Sequence, residues 1–355
     1  MSLIRELLQE VIERNGSDLH LIAGDPPRMR LHGDLITMRE EILDPGEFRD
    51  QLSSIIPPKA TEVLAKESQT DFAYAVEGVA RFRVNAFRHL GGMGAIMRSI
   101  PDRPQSLDDL QLPSVIGKLC KESSGLILVT GKTGSGKSTT LAAMIDDINR
   151  RTKGHILTIE DPIEFVHTRK SCLISQREIG LHSPGFSEAL HSALREDPDV
   201  ILVGELRDLE TMSTAITAAE MGILVMATLH TNGAIQTVDR IVNAFPAEKQ
   251  SHVRTMLSTS LRGVISQQLC RKKGGGGRVP AFEVMVNTSA VSNLLRQGKL
   301  DQIESAMQAG ARSGMLTMDN ALQDLLDRRF VSGREAYDMA ISKERFRIYA
   351  DQPNR

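Results

Sequence analysis

An eight-residue glycine-rich segment, GKTGSGKS at 131–138, carries the clearest chemistry in this sequence. It matches the pattern G-x-x-x-x-G-K-[ST], which is informative when a strand precedes it and a helix follows. Both flanks fit, because the apolar run GLILVT comes before it and the helical pattern STTLAAMIDDI comes after it. A chance glycine-rich turn would rarely match all eight positions and both flanks. The sequence therefore predicts a phosphate-binding loop.

The residue types in this loop indicate how a nucleoside triphosphate would bind. Glycines let backbone N–H groups approach the β-phosphate, and the helix that follows adds its positive N-terminal dipole. We expect Lys137 to reach the β and γ oxygens and the Ser138 hydroxyl to ligate Mg²⁺. The residues predicted to contact the nucleotide are Gly131, Thr133, Gly134, Ser135, Gly136, Lys137, Ser138 and Thr139.

Hydrolysis would also require carboxylates for Mg²⁺ and for the attacking water. Glu205 directly follows the apolar run VILVG, so it would lie at the carboxyl edge of a sheet, where ligands bind in open α/β folds. Glu160, Asp161 and Glu164 follow the run HILTI, and Pro162 forces a turn that can direct them. We predict Glu205 and Glu164 as the functional pair, with Glu205 also at the metal, although a solvated loop charge fits the spacing of each.

Other candidates are one histidine and three arginines. His230 ends the run ILVMATLH and could hydrogen-bond a γ-phosphate, although its spacing equally fits a loop histidine. Arg81, Arg83 and Arg98 lie on predicted strands near the N-terminus. From the residues alone they are surface charges, but a transition state for phosphoryl transfer needs a cation.

Two different patterns of apolar and polar residues along the sequence predict two domains. Residues 1–100 mix helical patterns with alternating segments such as RFRVNAF, which indicates a small α+β domain. A Pro- and Asp-rich linker is predicted at 101–113. Residues 114–355 contain short apolar runs separated by helical patterns, typical of a parallel sheet, and become helical towards the C-terminus. The predicted fold class is therefore α/β, with an α+β domain in front of it.

The amino-acid composition disfavours several classes of protein. The 355 residues include 43 basic and 45 acidic side chains, a balance unlike that of a dedicated nucleic-acid binder. Three scattered cysteines form no C-x-x-C pair, which disfavours a disulfide framework or a four-cysteine zinc site and suits a reducing cytoplasm. No apolar run approaches the roughly 20 residues of a membrane span. We expect a cytoplasmic protein that reaches a membrane only through partners.

Four segments together resemble a known family: GLILVTGKTGSGKSTTLAAMID, HILTIEDPIEFVH, SALREDPDVILVGELRDLET and ATLHTNGAIQTVDRI. They are similar to the type IV pilus retraction ATPases, the PilT or twitching-motility branch of the secretion-superfamily traffic ATPases. The likeness extends from GSDLHL at 16–21 through ARFRVNAF at 80–87 to GMLTMDNAL at 314–322. In that family the four segments are the Walker A, Asp box, Walker B and His box.

The resemblance implies a PAS-like N-terminal domain, a RecA-like ATPase domain and a homohexamer that hydrolyses ATP with Mg²⁺. It makes Glu164 the catalytic carboxylate, Glu205 the Walker B glutamate and His230 the His-box residue. Arg81 and Arg98 match family arginines that approach the phosphates when the domains close. The implied partners are an inner-membrane platform protein and the pilus machinery, at the cytoplasmic face of the inner membrane.

Some features indicate which branch of the family this chain resembles. The long N-terminal region and zinc motif of pilus-assembly and type II secretion ATPases do not occur, which favours retraction. Lys132 stands where the family has Pro or Ala, and Ser292 where its retraction motif has Arg. An accessory retraction paralogue therefore stays open, as does a secretion or pilus-extension ATPase. A nucleic-acid motor is disfavoured by 4% aromatic content, and a GTPase switch by the lack of N-K-x-D.

Overall fold

The computed structural model describes residues 2–31, 33–100 and 104–351. The chain forms two compact units. The first contains Met1–Arg103 together with the short segment Pro162–Val166, and the second contains Pro104–Asp161 and His167–Arg355. The segment Pro162–Val166 thus groups with the first unit, although it lies within the range 114–355 predicted for the second domain.

The first unit is an antiparallel sheet with helices. Its strand order is β3-β2-β1-β6-β5-β4. The strands are β1 (Asp18–Ile22), β2 (Arg28–Leu31), β3 (Asp34–Thr37), β4 (Gln69–Val76), β5 (Ala80–His89) and β6 (Gly92–Ile100). The helices are α1 (Leu3–Glu13), α2 (Pro45–Ile55) and α3 (Pro58–Glu67).

Alternation in the sequence explains how this sheet buries one face. Phe82, Val84 and Ala86 of β5 point into the core, where they join the apolar side of α1. The residues between them, including Arg81 and Arg83, lie on the opposite face, because successive side chains of a strand alternate. Pro58 is the first residue of the third helix. Proline suits that first position because its missing N–H would have no helical partner.

The second unit is built on a seven-stranded sheet of order β13-β12-β7-β11-β10-β8-β9. All its neighbouring pairs are parallel except β12 with β13. The strands are β7 (Gly125–Thr130), β8 (His155–Glu160), β9 (Leu173–Glu178), β10 (Val200–Val203), β11 (Leu224–Leu229), β12 (Leu261–Arg271) and β13 (Arg278–Val286). The central strands are buried at every position, as their continuous apolar runs predict.

Helices cover this sheet and form the C-terminal part of the unit. They are α4 (Ser114–Leu119), α5 (Lys137–Arg151), α6 (Phe186–Ala193), α7 (Leu209–Glu220), α8 (Ala234–Ala244), α9 (Ala247–Ser260), α10 (Ser289–Gln297), α11 (Ile303–Ala309), α12 (Met318–Asp327) and α13 (Gly333–Met339). Short 3₁₀ helices lie at Leu300–Gln302, Gly310–Ser313 and Glu344–Tyr349. The predicted fold class, an α+β unit followed by a parallel-sheet unit with a helical C-terminal part, is confirmed.

The predicted linker at 101–113 is described only in part, because residues 101–103 lie outside the described ranges. The part that follows begins with a turn. Ser106 and Asp109 close it reciprocally, each side chain accepting a hydrogen bond from the other residue's backbone N–H at 3.1 and 3.0 Å.

Candidate nucleotide-binding site

The glycine-rich loop joins β7 to α5, as its flanks predict. Gly131, Gly134 and Gly136 have φ values of 142°, 76° and 93°, which side chains other than glycine rarely adopt. Space is restricted as well: a Cβ at Gly131 would lie 2.3 Å from the Gln267 carbonyl oxygen, and one at Gly136 would lie 2.6 Å from Gln267 Nε2. Two of the three glycines are therefore required by both conformation and contact.

The Lys137 side chain lies inside the loop. Its ammonium group is buried and donates hydrogen bonds to the carbonyl oxygens of Gly131 at 2.9 Å and Lys132 at 3.2 Å. Ser135 Oγ is also buried and has no hydrogen-bond partner among the described residues. A cation and an unsatisfied hydroxyl inside a glycine loop at a helix N-terminus fit the phosphates of a nucleotide.

Gln267 of β12 is a part of this site that the sequence reasoning missed. The parallel register aligns Ser266 with Thr130, which brings the next residue, Gln267, beside the loop. Gln267 Nε2 donates to the Ser135 carbonyl oxygen at 2.7 Å, and its Oε1 accepts from Thr140 Oγ1 at 2.7 Å. The side chain thus ties the loop to the first turn of α5. A buried amide within the apolar run VISQQL is the sequence signal that could have identified it.

Glu205 and His230 meet at the carboxyl edge of the sheet. Glu205 follows β10 and His230 follows β11, and these strands are parallel neighbours. His230 Nε2 lies 3.4 Å from Glu205 Oε2, while Arg207 forms an ion pair with Glu205 Oε1. Burial tends to raise the pKa of the Glu205 carboxyl, but the hydrogen bond and charge of Arg207, assisted by His230, outweigh it and lower that pKa. Glu205 is therefore a carboxylate at neutral pH. Arg207 was not predicted from the sequence.

Two buried acceptors fix the loop that follows His230. Ser266 Oγ accepts from the Gly233 N–H at 2.9 Å, and Glu283 Oε1 accepts from the Ala234 N–H at 2.7 Å. The other oxygen of Glu283 accepts from the Met318 N–H at 3.3 Å, so one side chain joins the starts of α8 and α12. Burial raises the pKa of this carboxyl. The histidine loop is thereby connected to the C-terminal helices.

The candidates near residue 160 are divided between the two units. Glu160, at the end of β8, accepts hydrogen bonds from Thr158 Oγ1 at 2.7 Å and from Gln176 Nε2 at 3.3 Å. Its side chain therefore has partners within the second unit. Glu164 lies in the segment Pro162–Val166, which groups with the first unit.

Arg81 and Arg98 lie in the first unit, on β5 and β6. Arg98 Nε donates to Asp18 Oδ1 at 2.7 Å. The Asp18 side chain is 5% exposed whereas that of Arg98 is 71% exposed, so a buried carboxylate holds the inner end of a guanidinium that remains open to solvent. Arg83 is the neighbour of Arg98 across the strand pair. Asp18 was not predicted, although its position in GSDLHL belongs to the family resemblance.

Ser138 and Glu205 provide oxygen donors, which are the ligands that Mg²⁺ prefers. Within the described ranges, no three His, Cys, Asp or Glu residues form a group able to hold a metal ion. Magnesium commonly takes one or two protein oxygens and completes its shell with phosphates and water. Ser138 and Glu205 remain the predicted protein ligands.

Comparison with known proteins shows the family of this chain. The model of the family described as type II/IV secretion system protein matches residues 1–329. The chain belongs to this family. It is 49% identical over 343 residues to the type IV pilus retraction ATPase PilT of Pseudomonas aeruginosa, covering 97% of this chain and 99% of PilT.

Two further comparisons bear on the fold and the branch. The crystal structure of the pilus retraction motor PilT with bound ADP superposes with a TM-score of 0.91 and 44% identity, covering 97% of this chain and 99% of that one. The type IV pilus ATPase PilU of Pseudomonas aeruginosa is 37% identical, over 95% of this chain and 87% of PilU. The predicted resemblance is thus confirmed. None of the described helices is long and apolar enough to cross a membrane.

Proposed function

We propose that this chain is a motor that hydrolyses ATP to retract type IV pili. The observation that carries the proposal is the near full-length identity of 49% to PilT. The loop geometry supports nucleotide binding, since the buried Lys137 ammonium lies inside a glycine loop with positive φ values at the start of a helix, an arrangement that binds phosphate.

The chemistry assigned to each residue follows from its position. Lys137 and the loop N–H groups bind the β- and γ-phosphates, and Ser138 and Glu205 provide oxygens for Mg²⁺. Glu205 is ionised at neutral pH, and despite its burial Arg207 lowers its pKa further below the usual 4.5. His230, held 3.4 Å from Glu205, senses the γ-phosphate. Bound Mg²⁺ supplies charge stabilisation for the transferring phosphoryl group.

Three residues of the first unit complete the proposal. Glu164 orients or deprotonates the attacking water, and Arg81 and Arg98 neutralise charge that develops on the phosphates. The hydrogen bond from Arg98 Nε to Asp18 supports the role of Arg98. It fixes Nε and leaves the terminal guanidinium nitrogens open to a ligand.

We also propose a homohexamer that docks on a membrane-embedded platform protein at the pilus base. A motor that pulls a fibre needs an anchored partner, and a closed ring provides identical contacts for every subunit. Mass measurement with a bound ATP analogue should give six subunits. A monomer with full ATPase activity at micromolar concentration would contradict the ring.

Deletion of the gene tests the direction of the motor. The strain should build pili, with surface pili in excess, and lose twitching. A strain without pili would contradict retraction and favour the extension or secretion ATPase. The measurement is a count of surface pili together with the motility zone.

The accessory paralogue is the second candidate, and Ser292 favours it. Its hydroxyl donates to the Ser258 carbonyl oxygen at 2.7 Å, so the residue joins α10 to α9 instead of presenting a cation. The higher identity to PilT than to PilU favours the principal motor. Full loss of twitching on deletion supports the principal motor, whereas weakened retraction force with twitching retained supports the accessory one.

A further inference from the structure

The hairpin that joins β12 to β13 ends in a segment made only of cations and glycine. This basic hairpin tip is the sequence RKKGGGGR at 271–278. Every residue in it is exposed. It lies outside the nucleotide site, and none of the roles proposed above uses it.

The side chains of the basic hairpin tip form no ion pair with the described residues, although the Arg271 backbone N–H donates to Glu335 Oε1 at 2.8 Å. Arg271 lies directly opposite Arg278 in the strand register, and like charges in such a pair destabilise a hairpin. None of the ion pairs found among residues 2–31, 33–100 and 104–351 involves Arg271, Lys272, Lys273 or Arg278. Since the whole chain has a net charge of −2, this local charge of +4 is not a consequence of composition. It indicates an anionic ligand.

The base of the tip is ordered by hydrogen bonds while its end carries no side chains. Lys272 N–H donates to the Gly277 carbonyl oxygen at 3.1 Å, and Lys273 N–H donates to the Phe330 carbonyl oxygen at 2.8 Å. The four glycines at 274–277 all have positive φ, between 80° and 124°. A cleft of about 350 Å³ remains open between the tip and Ser332. Arg271, Lys272 and Lys273 therefore line an accessible cleft.

We propose that the basic hairpin tip binds the phosphate groups of anionic phospholipids at a membrane surface. Protein interfaces use a buried centre of apolar and aromatic side chains, and the tip has neither. Binding of single-stranded nucleic acid uses aromatic stacking, which the tip also lacks. An anionic bilayer requires only clustered, flexible, exposed cations. The proposal goes beyond retraction, because it gives the chain a direct membrane contact besides its protein partners.

Vesicle co-sedimentation of the full-length protein tests the proposal. Vesicles of phosphatidylcholine with about 30% phosphatidylglycerol should bind the protein, and vesicles of phosphatidylcholine alone should not. Each Lys or Arg near such a surface contributes about a fivefold gain in partitioning, so Lys272→Ala with Lys273→Ala should weaken binding about 25-fold. Binding should also fall at roughly 0.5 M salt, where charges are screened.

A matched control removes the same charge elsewhere. Lys121 and Lys153 are exposed lysines of the same unit, and their double alanine variant should bind vesicles like the unchanged protein. Both double variants should keep the ATPase activity measured without vesicles, which shows that each is folded.

Three results would overturn the proposal: equal binding to neutral vesicles, unchanged vesicle binding by the tip variant, and an equal loss in the control variant. If the tip variant binds vesicles unchanged but loses binding to the purified cytoplasmic part of the platform protein, the tip belongs to an acidic protein partner instead.

Discussion

Replacing Gln267 by alanine should weaken ATP binding, because the side chain holds the phosphate loop in shape. Measuring the melting temperature as well distinguishes this effect from a loss of fold stability. The substitution removes the hydrogen bond to the Ser135 carbonyl oxygen and the one from Thr140 Oγ1, both 2.7 Å long and buried. Leaving a buried group unsatisfied costs about 1–3 kcal/mol, so two such groups cost roughly 2–6 kcal/mol. If about half of this free energy is spent on reordering the loop when the nucleotide binds, about 1–3 kcal/mol, the Kd for ATP should rise about 5- to 150-fold.

The assay is titration with a fluorescent ATP analogue, accompanied by thermal unfolding. Gln268→Ala is the matched control, since this neighbouring residue is only partly buried and its side chain forms no hydrogen bond with the loop among the described residues. Thr140→Val should give an intermediate loss of affinity, because it removes one of the two bonds and keeps the volume. A lower melting temperature with unchanged Kd in Gln267→Ala would refute this reasoning and leave Gln267 a role in folding only.

The remaining predictions concern the charged residues. Lys137→Ala should abolish ATP binding, measured by the same titration, because the loop loses its cation; retained affinity would contradict the site. Glu205→Gln and Glu164→Gln should bind ATP but lose turnover about 100-fold, and full phosphate release by the Glu164 variant would remove its proposed role. Arg98→Ala should lower kcat more than it lowers the melting temperature, and unchanged kcat would make Arg98 an ordinary surface charge. The pKa of Glu205 is lowered from its usual 4.5, so its ionised form stabilises the fold above that pH and this stability is lost as the pH falls through the lower, folded-state pKa. The difference in melting temperature between the unchanged protein and Glu205→Gln should therefore shrink below about pH 4.5, and a constant difference would show that the ion pair with Arg207 is not its source.

The sequence by itself determined the features that are encoded by neighbours along the chain. The phosphate loop is one continuous segment, and its glycines, its lysine and both flanking elements can be identified without knowledge of the fold. Alternation in RFRVNAF predicted a strand with one buried face, and the continuous apolar runs predicted a parallel sheet buried on both faces. In each case the signal is local because backbone conformation and periodicity are local properties.

Only the tertiary structure decided which distant side chains meet. Gln267 is 132 residues from Ser135, and Asp18 is 80 residues from Arg98. Glu205 and His230 were each predicted from the end of a strand, but their pairing depends on β10 lying beside β11. Strand order and register place these groups together, and no short-range pattern encodes them, because a strand's own sequence specifies its burial and not the identity of its neighbour.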